Sequence, residues 1–202
     1  MNTEQLPADP TQRPEITAFI GLGSNLPGDV GSPEAQIERA CELLEMHPAI
    51  RIVQRSRIFA TPPWGGVEQS EFRNAVIHVR TTLDPLALLH HCQFAEAVGN
   101  RVREVRWGPR TVDVDVLSCF DATLSPIISH GQWGFELVVP HPYAAERAFV
   151  LVPWLDLDAA AEPWCVLGER TIAECVADVD EAEVRGIVAV EDAVEDPPAG
   201  HR

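Results

Sequence analysis

Residues 112–116 read Val-Asp-Val-Asp-Val, a strict alternation of branched apolar and acidic side chains. In an extended chain, side chains two apart share a face. The valines therefore turn to a core while Asp113 and Asp115 stand together on the opposite face. The stretch predicts a strand, and the segments before it supply partners. Asp84-Pro85 opens a helix whose apolar face is expected at Leu86, Leu89, Cys92 or Gln93, and Val98. Phe72–Thr82 and Ile50–Phe59 are rich in β-branched residues and read as strands. Ser32-Pro33-Glu34 has the form of a capped helix start, and Ile37, Ala40, Cys41 and Leu44 continue its stripe. Ile16–Leu22 is a short apolar run expected to be a buried strand ending in the turn Gly21-Leu22-Gly23-Ser24-Asn25. That turn lacks the third glycine of a dinucleotide fingerprint, Leu26 standing in its place.

In chain order these segments give strand, helix, strand, strand, helix, strand. This is the βαββαβ order of an α+β ferredoxin-like sandwich, with helices on one face of an antiparallel sheet. A C-terminal strand/helix addition is expected behind it: a strand over Phe135–Val139, a helix from about Tyr143, an amphipathic piece at Thr171–Val176 and a short strand within 184–190. Residues 1–15 carry three prolines without apolar periodicity and read as a disordered lead-in; the main domain is expected over 16–179, with a strand and acidic tail over 180–202.

Composition narrows the chemistry. The chain has 202 residues and a net charge of −16, and all fifteen basic residues are arginine. Without lysine, a P-loop, a protein-kinase strand lysine and a Schiff base are excluded, so anions must be gripped by guanidinium or backbone N–H. The charge argues against a nucleic-acid track or an anionic membrane surface. The charge is also uneven, with −10 falling on residues 156–202 alone. Five scattered cysteines form no CxxC pair and read as buried small hydrophobes. No apolar run of about 20 residues is present, and a cytoplasmic location is expected.

Residues 101–115, RVREVRWGPRTVDVD, concentrate the chemistry. Two carboxylates about 7 Å apart on one strand face suit hard divalent cations, although alone they more commonly mark a solvated face. Arg101, Arg103, Arg106 and Arg110 lie within ten residues just before them. Arginines that neutralise phosphates, beside acids that share metals with them, make a polyphosphate–metal composition. Trp107-Gly108-Pro109 favours a loop here, a candidate lid over a nucleotide.

A second constellation is Thr61-Pro62-Pro63-Trp64-Gly65-Gly66 followed by Phe72-Arg73-Asn74. Phe72 and Asn74 share a strand face, an arrangement suited to stacking and reading a flat heterocycle, though a core phenylalanine with a turn-bound asparagine is the commoner case. His141 stands between two prolines as a candidate fixed donor, while His90 and His91 read as surface or packing residues.

At these positions the sequence resembles the 6-hydroxymethyl-7,8-dihydropterin pyrophosphokinases of folate biosynthesis. The matching segments are IGLGSN at 20–25, TPPWGG at 61–66, FRNAV at 72–76, RWGPRTVDVDVL at 106–117 and PHPYAAERAFVLVPW at 140–154. The resemblance implies transfer of pyrophosphate from ATP to the pterin hydroxymethyl oxygen. It further implies that Asp113 and Asp115 hold two Mg²⁺ ions, that Arg101 and Arg110 stabilise the transferring phosphates, and that Arg103 and Trp107 close the lid. Phe72 and Phe149 would sandwich the pterin, Asn74 with Thr61, Pro62, Pro63 and Trp64 would read its edge, and Gln93, Glu96, His141 and Arg147 would line the ATP side. Asn100 stands where relatives usually have glycine, and Pro142 where some have an aromatic.

Overall fold

A computed structural model describes residues 13–62, 70–99 and 111–190. The expected core elements are present: β1 (Ile16–Ser24), α1 (Pro33–Glu45), β2 (Ile50–Arg55), β3 (Phe59–Thr61), β4 (Phe72–Thr81), α2 (Pro85–Val98) and β5 (Asp113–Phe120). Both long helices start as their sequences dictate. The Ser32 side chain accepts from Ala35 N at 3.1 Å, that of Asp84 accepts from Ala87 N at 2.9 Å, and a proline follows each cap. After β5 come α3 (Ala148–Leu155), a small hairpin of β6 (Val166–Leu167) and β7 (Arg170–Thr171), α4 (Ile172–Asp178), α5 (Glu181–Arg185) and β8 (Val188–Ala189). The main sheet runs β5-β1-β4-β3-β8, with β2 paired to the far half of β4 and every pairing antiparallel. Among the described residues no helix is long and apolar enough to cross a membrane.

Several expectations change on contact with the structure. The single strand expected over Ile50–Phe59 is two pieces along β4. They are separated at Ser56, whose N–H donates to Val76 O and whose hydroxyl accepts from Val76 N, both at 2.9 Å. The Phe135–Val139 stretch is not a strand: Phe135 is fully exposed, whereas Leu137 and Val139 turn into the core from a loop. The buried face of α2 is Pro85, Leu88, Cys92 and Ala95; Leu86 and Leu89 only flank it, and Gln93 is exposed. Apolar residues lie on every side of α2, so its sequence carries little phase information and periodicity misplaced that face. The 184–190 strand shortens to β8 because Glu181–Arg185 form a helical turn capped by Asp180.

The sheet is covered on both faces rather than one. On the first face α1 and α2 bury Ala18, Ile20 and Leu22 of β1, Ala75, Ile77 and Val79 of β4, and Val114 and Val116 of β5. On the second face α3 and α4 cover Phe19, Val76, Leu117 and Phe120 with Leu151, Trp154, Ile172 and Cys175. Trp154 is fully buried, with its ring 4.9 Å from that of Phe19. Truncating a side chain of this size in such a core costs about 3–5 kcal/mol. Five buried cysteines fit the expected role, and burial pushes the thiols of Cys41 and Cys119 up to about 12. The second layer is incomplete: it covers the Phe19–Phe120 end of the sheet and leaves the opposite end open.

Candidate functional site

The open end of that second face is the pocket, and β1 supplies its floor. Gly21 and Gly23 fall on the same side of β1 as Phe19, so β1 carries no side chain there. Gly21 pairs with Val76 on one side and Asp115 on the other; Gly23 pairs with Asn74 and Asp113. The result is a trough one strand wide. Phe72, Asn74 and Val76 of β4 form one bank and Asp113, Asp115 and Leu117 of β5 the other. Thr61 and Pro62 at the end of β3, and His141, Arg147, Phe149 and Val150 from the second layer, close a cavity of about 110 Å³. A Cβ on Gly23 would stand 2.9 Å from Asn74 Oδ1, nearer than real side chains tolerate. The trough therefore exists only because glycine lies at its bottom.

The β4 bank is locked by one buried hydrogen bond. Asn74 Nδ2 donates to Thr61 Oγ1 at 2.7 Å, which fixes the amide and leaves Oδ1 above Gly23 as the acceptor facing the trough. Phe72, two residues back on the same face, and Phe149 at the start of α3 are both half-buried. The Arg147 guanidinium lies 5.6 Å from the Phe149 ring centroid and 5.1 Å from that of Tyr143, which restricts the cation between two aromatic faces.

On the acidic bank, β5 presents Asp113 and Asp115 half-buried while Val114 and Val116 are buried beneath. Among the described residues no group of three or more His, Cys, Asp or Glu side chains is placed to hold an ion. Two carboxylates on a bare glycine floor are the donor set of a hard cation that completes its shell with phosphate and water oxygens, so these residues fit Mg²⁺ bound together with a polyphosphate.

His141 is tied to this bank by its backbone N–H, which donates to Leu117 O at 2.7 Å. Its Nδ1 accepts from Tyr143 N at 3.2 Å, so the neutral ring carries its proton on Nε2 as a donor. Burial, and then Arg147, hold the imidazole pKa down to about 4, against an opposing pull from Asp113. The folded value lies below the ordinary 6.5, so the unfolded chain binds the extra proton first. The contribution to stability is whole above pH 6.5 and is lost as pH falls through 4. In the ligand-free protein an NMR titration should find the His141 midpoint near 4; a midpoint at 6.5 would remove both burial and Arg147 as its controls.

Of the residues expected from sequence, Thr61, Pro62, Phe72, Asn74, Asp113, Asp115, His141, Arg147 and Phe149 come together in the pocket lining. Gln93 and Glu96 do not line it. Glu96 instead reaches β5, where its Oε1 accepts from Val114 N at 2.8 Å, between the two aspartates. Pro63, Trp64, Arg101, Arg103, Trp107 and Arg110 lie outside the described residues. His90 meets Glu136 at 2.6 Å and His91 the Leu43 carbonyl at 3.2 Å, both away from the pocket, as expected of packing residues.

Sequence reasoning missed the glycine floor, reading residues 21–25 only as a strand-to-helix turn. Their period of two within an apolar strand is the signal that was available. Ser24 and Asn25 complete the run. The Ser24 hydroxyl donates to the Thr111 carbonyl, fixing the start of β5, and Asn25 Nδ2 donates to Ser70 O at 3.4 Å, close to the start of β4.

Known proteins resemble this chain over most of its length. Residues 19–159 match the family described as 7,8-dihydro-6-hydroxymethylpterin-pyrophosphokinase (HPPK). A 2-amino-4-hydroxy-6-hydroxymethyldihydropteridine pyrophosphokinase of Methylorubrum extorquens is 40% identical over 170 residues, covering 84% of this chain and 98% of its own. The protein of that name from Bacillus subtilis is 37% identical over 140 residues, covering 69% and 77%. Among solved structures, a Plasmodium falciparum HPPK-DHPS with pteroate superposes with a TM-score of 0.56 at 15% identity, over 82% of this chain and 43% of that longer one, a likeness of fold alone. By sequence over most of its length, then, the chain belongs to the 7,8-dihydro-6-hydroxymethylpterin-pyrophosphokinase family.

Proposed function

We propose that this chain transfers the pyrophosphoryl group of ATP to the hydroxymethyl oxygen of 6-hydroxymethyl-7,8-dihydropterin, releasing AMP, as a step of folate biosynthesis. The observation that carries the reading is the glycine-floored trough, with a heterocycle-reading bank of Phe72 and Asn74 facing a carboxylate bank of Asp113 and Asp115. A flat substrate lying across one strand puts its reactive arm at the aspartates.

In this reading Phe72 and Phe149 take the pterin between their rings, and Asn74 Oδ1 accepts from its edge while Thr61 holds the amide in register. Pro62 lines the wall beside it, and the backbone of Pro63 and Trp64 would help read the pterin edge. Asp113 and Asp115 would hold Mg²⁺, two ions in this reading, and the metal when bound would supply charge neutralisation for the phosphates and the attacking hydroxyl. The substrate hydroxyl oxygen forms a bond to the β-phosphorus and its proton is released to water. The bond from that phosphorus to the oxygen it shares with the α-phosphate breaks, and AMP departs with the electron pair. Arg101 and Arg110 stabilise the transferring group, Arg103 and Trp107 close over it, and Arg147 and the Nε2 proton of His141 meet the ATP phosphates. Gln93 and Glu96 serve the nucleotide side, Glu96 also holding the Val114 N–H. The sheet with its first two helices is a ferredoxin-like sandwich, the unit over 16–179 performs the chemistry, and the absence of a membrane-crossing helix among the described residues accords with work in the cytoplasm.

The test supplies Mg²⁺, ATP and 6-hydroxymethyl-7,8-dihydropterin and follows AMP. Release dependent on all three is expected; AMP formed no faster than without protein would overturn the assignment.

A further inference from the structure

Two residues of the pocket wall, Thr61 and Pro62, hang from β3, which has only three residues. Its backbone groups alternate in direction. Phe59 and Thr61 belong to the pairing with β4, while the carbonyl of Ile58 and the polar groups of Ala60 point away from it. A strand this short with one bonded neighbour is held weakly, and half of its polar groups would face solvent.

The C-terminal segment meets that edge. β8 pairs antiparallel with β3, matching Phe59 with Ala189 and Ala60 with Val188, and Val190 N donates to Ile58 O at 2.8 Å. Phe59 and Ala189 are both buried at the junction, 5% and 4% exposed. Two residues before β8, Gly186 faces the pocket wall: a Cβ added there would stand 3.4 Å from Pro62 Cγ. The segment is anchored from behind, since α4 sinks Ile172 and Cys175 into the second core and α5 packs on α3. α4, α5 and β8 lie beyond residue 159, where the match to the family model ends.

We propose that residues 180–190 are a positioning element for pterin recognition. β8 fixes β3, β3 fixes Thr61, and Thr61 fixes the orientation of the Asn74 amide. The last link is the 2.7 Å bond from Asn74 Nδ2 to Thr61 Oγ1, so slack at the β3 edge reaches the Asn74 amide. The carboxylate bank does not share this dependence, because Asp113 and Asp115 are on β5, at the opposite edge of the sheet from β8. The consequence is selective: loosening β8 weakens the pterin and spares ATP.

This inference rests on the pyrophosphokinase reading, and its test separates the two. In the full-length chain, Val190→Pro removes the donor to Ile58 O, while Val190→Ala keeps it. Val190→Pro should raise KM for the pterin about 3- to 10-fold, the effect of one lost hydrogen bond, with KM for ATP and kcat within twofold of the unaltered chain. Val190→Ala should match the unaltered chain. A pterin KM unchanged by Val190→Pro, or both KM values rising together, overturns the positioning role while leaving the activity standing. Absence of pterin-dependent AMP release by the unaltered chain overturns both. Should Val190→Pro not fold, Gly186→Leu, which presses on Pro62 while leaving the β3–β8 ladder in place, decides by the same comparison of the two KM values.

Discussion

Asp115→Ala is expected to lose pyrophosphoryl transfer by on the order of 10³-fold or more, the scale seen when one stabiliser of transition-state charge is removed, while the protein remains folded. The expectation follows from where β5 spends its side chains. Val114 and Val116 are buried against α1 and α2, while Asp115 is half-buried beside Gly21 on the pocket face. Removing its carboxylate therefore takes nothing from the core. Circular dichroism of the variant should therefore match that of the unaltered chain. Binding should separate the variants more sharply: Mg²⁺ with ATP should raise the melting temperature of the unaltered chain and do so far less for Asp115→Ala. Turnover at the ordinary rate by the variant would remove Asp115 from the metal-holding role.

Gly23→Val should be nearly as damaging for a different reason. The new Cβ alone would stand 2.9 Å from Asn74 Oδ1 and 3.9 Å from Asp113 Cβ, so the branched side chain fills the trough from bank to bank. One methylene too many in a pocket costs roughly 10- to 200-fold in discrimination, and valine adds three carbons. A fall in kcat/KM for the pterin of about 100-fold or more is expected, with KM for ATP much less affected. The stability cost should stay near the 1–3 kcal/mol of ordinary overpacking, because valine is a good strand residue and only the Asn74 amide must yield. Calorimetric titration with the pterin measures the first effect and thermal melting the second. Pterin affinity equal to that of the unaltered chain would mean that the substrate does not lie across β1.

The alternating stretches were the legible part of this molecule. Asp113 and Asp115 were assigned to one face from spacing alone, and the structure puts both in the pocket lining. The caps at Ser32 and Asp84 located both long helices because a short polar side chain followed by proline leaves the chain few alternatives. Phe72 and Asn74 were paired correctly by the same period-two argument, although only the structure shows that Thr61 sets the amide.

Less could be read where the signal is held in tertiary partners. Glu96 has the helical address of a nucleotide contact, yet its carboxylate accepts from the Val114 amide, a bond that depends on how α2 lies on β5. Phe135–Val139 has strand composition but no strand to join, since Ile127 N and His141 N already donate to the outer edge of β5 at Cys119 O and Leu117 O. The second layer over Phe19 and Phe120 was invisible as a layer because the short elements that build it carry too few residues to show a period.

The bulge in β5 couples two positions that are far apart in sequence. Ile20 pairs with Val116 and Phe19 with Ser118, so Leu117 is the surplus residue of the ladder. Deleting it would restore a regular ladder without turning Ser118, Cys119 or Phe120 over. What the surplus residue contributes is its side chain, whose methyl carbons would lie 3.3 and 3.4 Å from any Cβ at position 21. Gly21 and Leu117 thus share a single volume beside Asp115. A side chain at position 21 would push these methyls by a few tenths of an ångström, so how far Leu117 can give sets what this end of the pocket accepts.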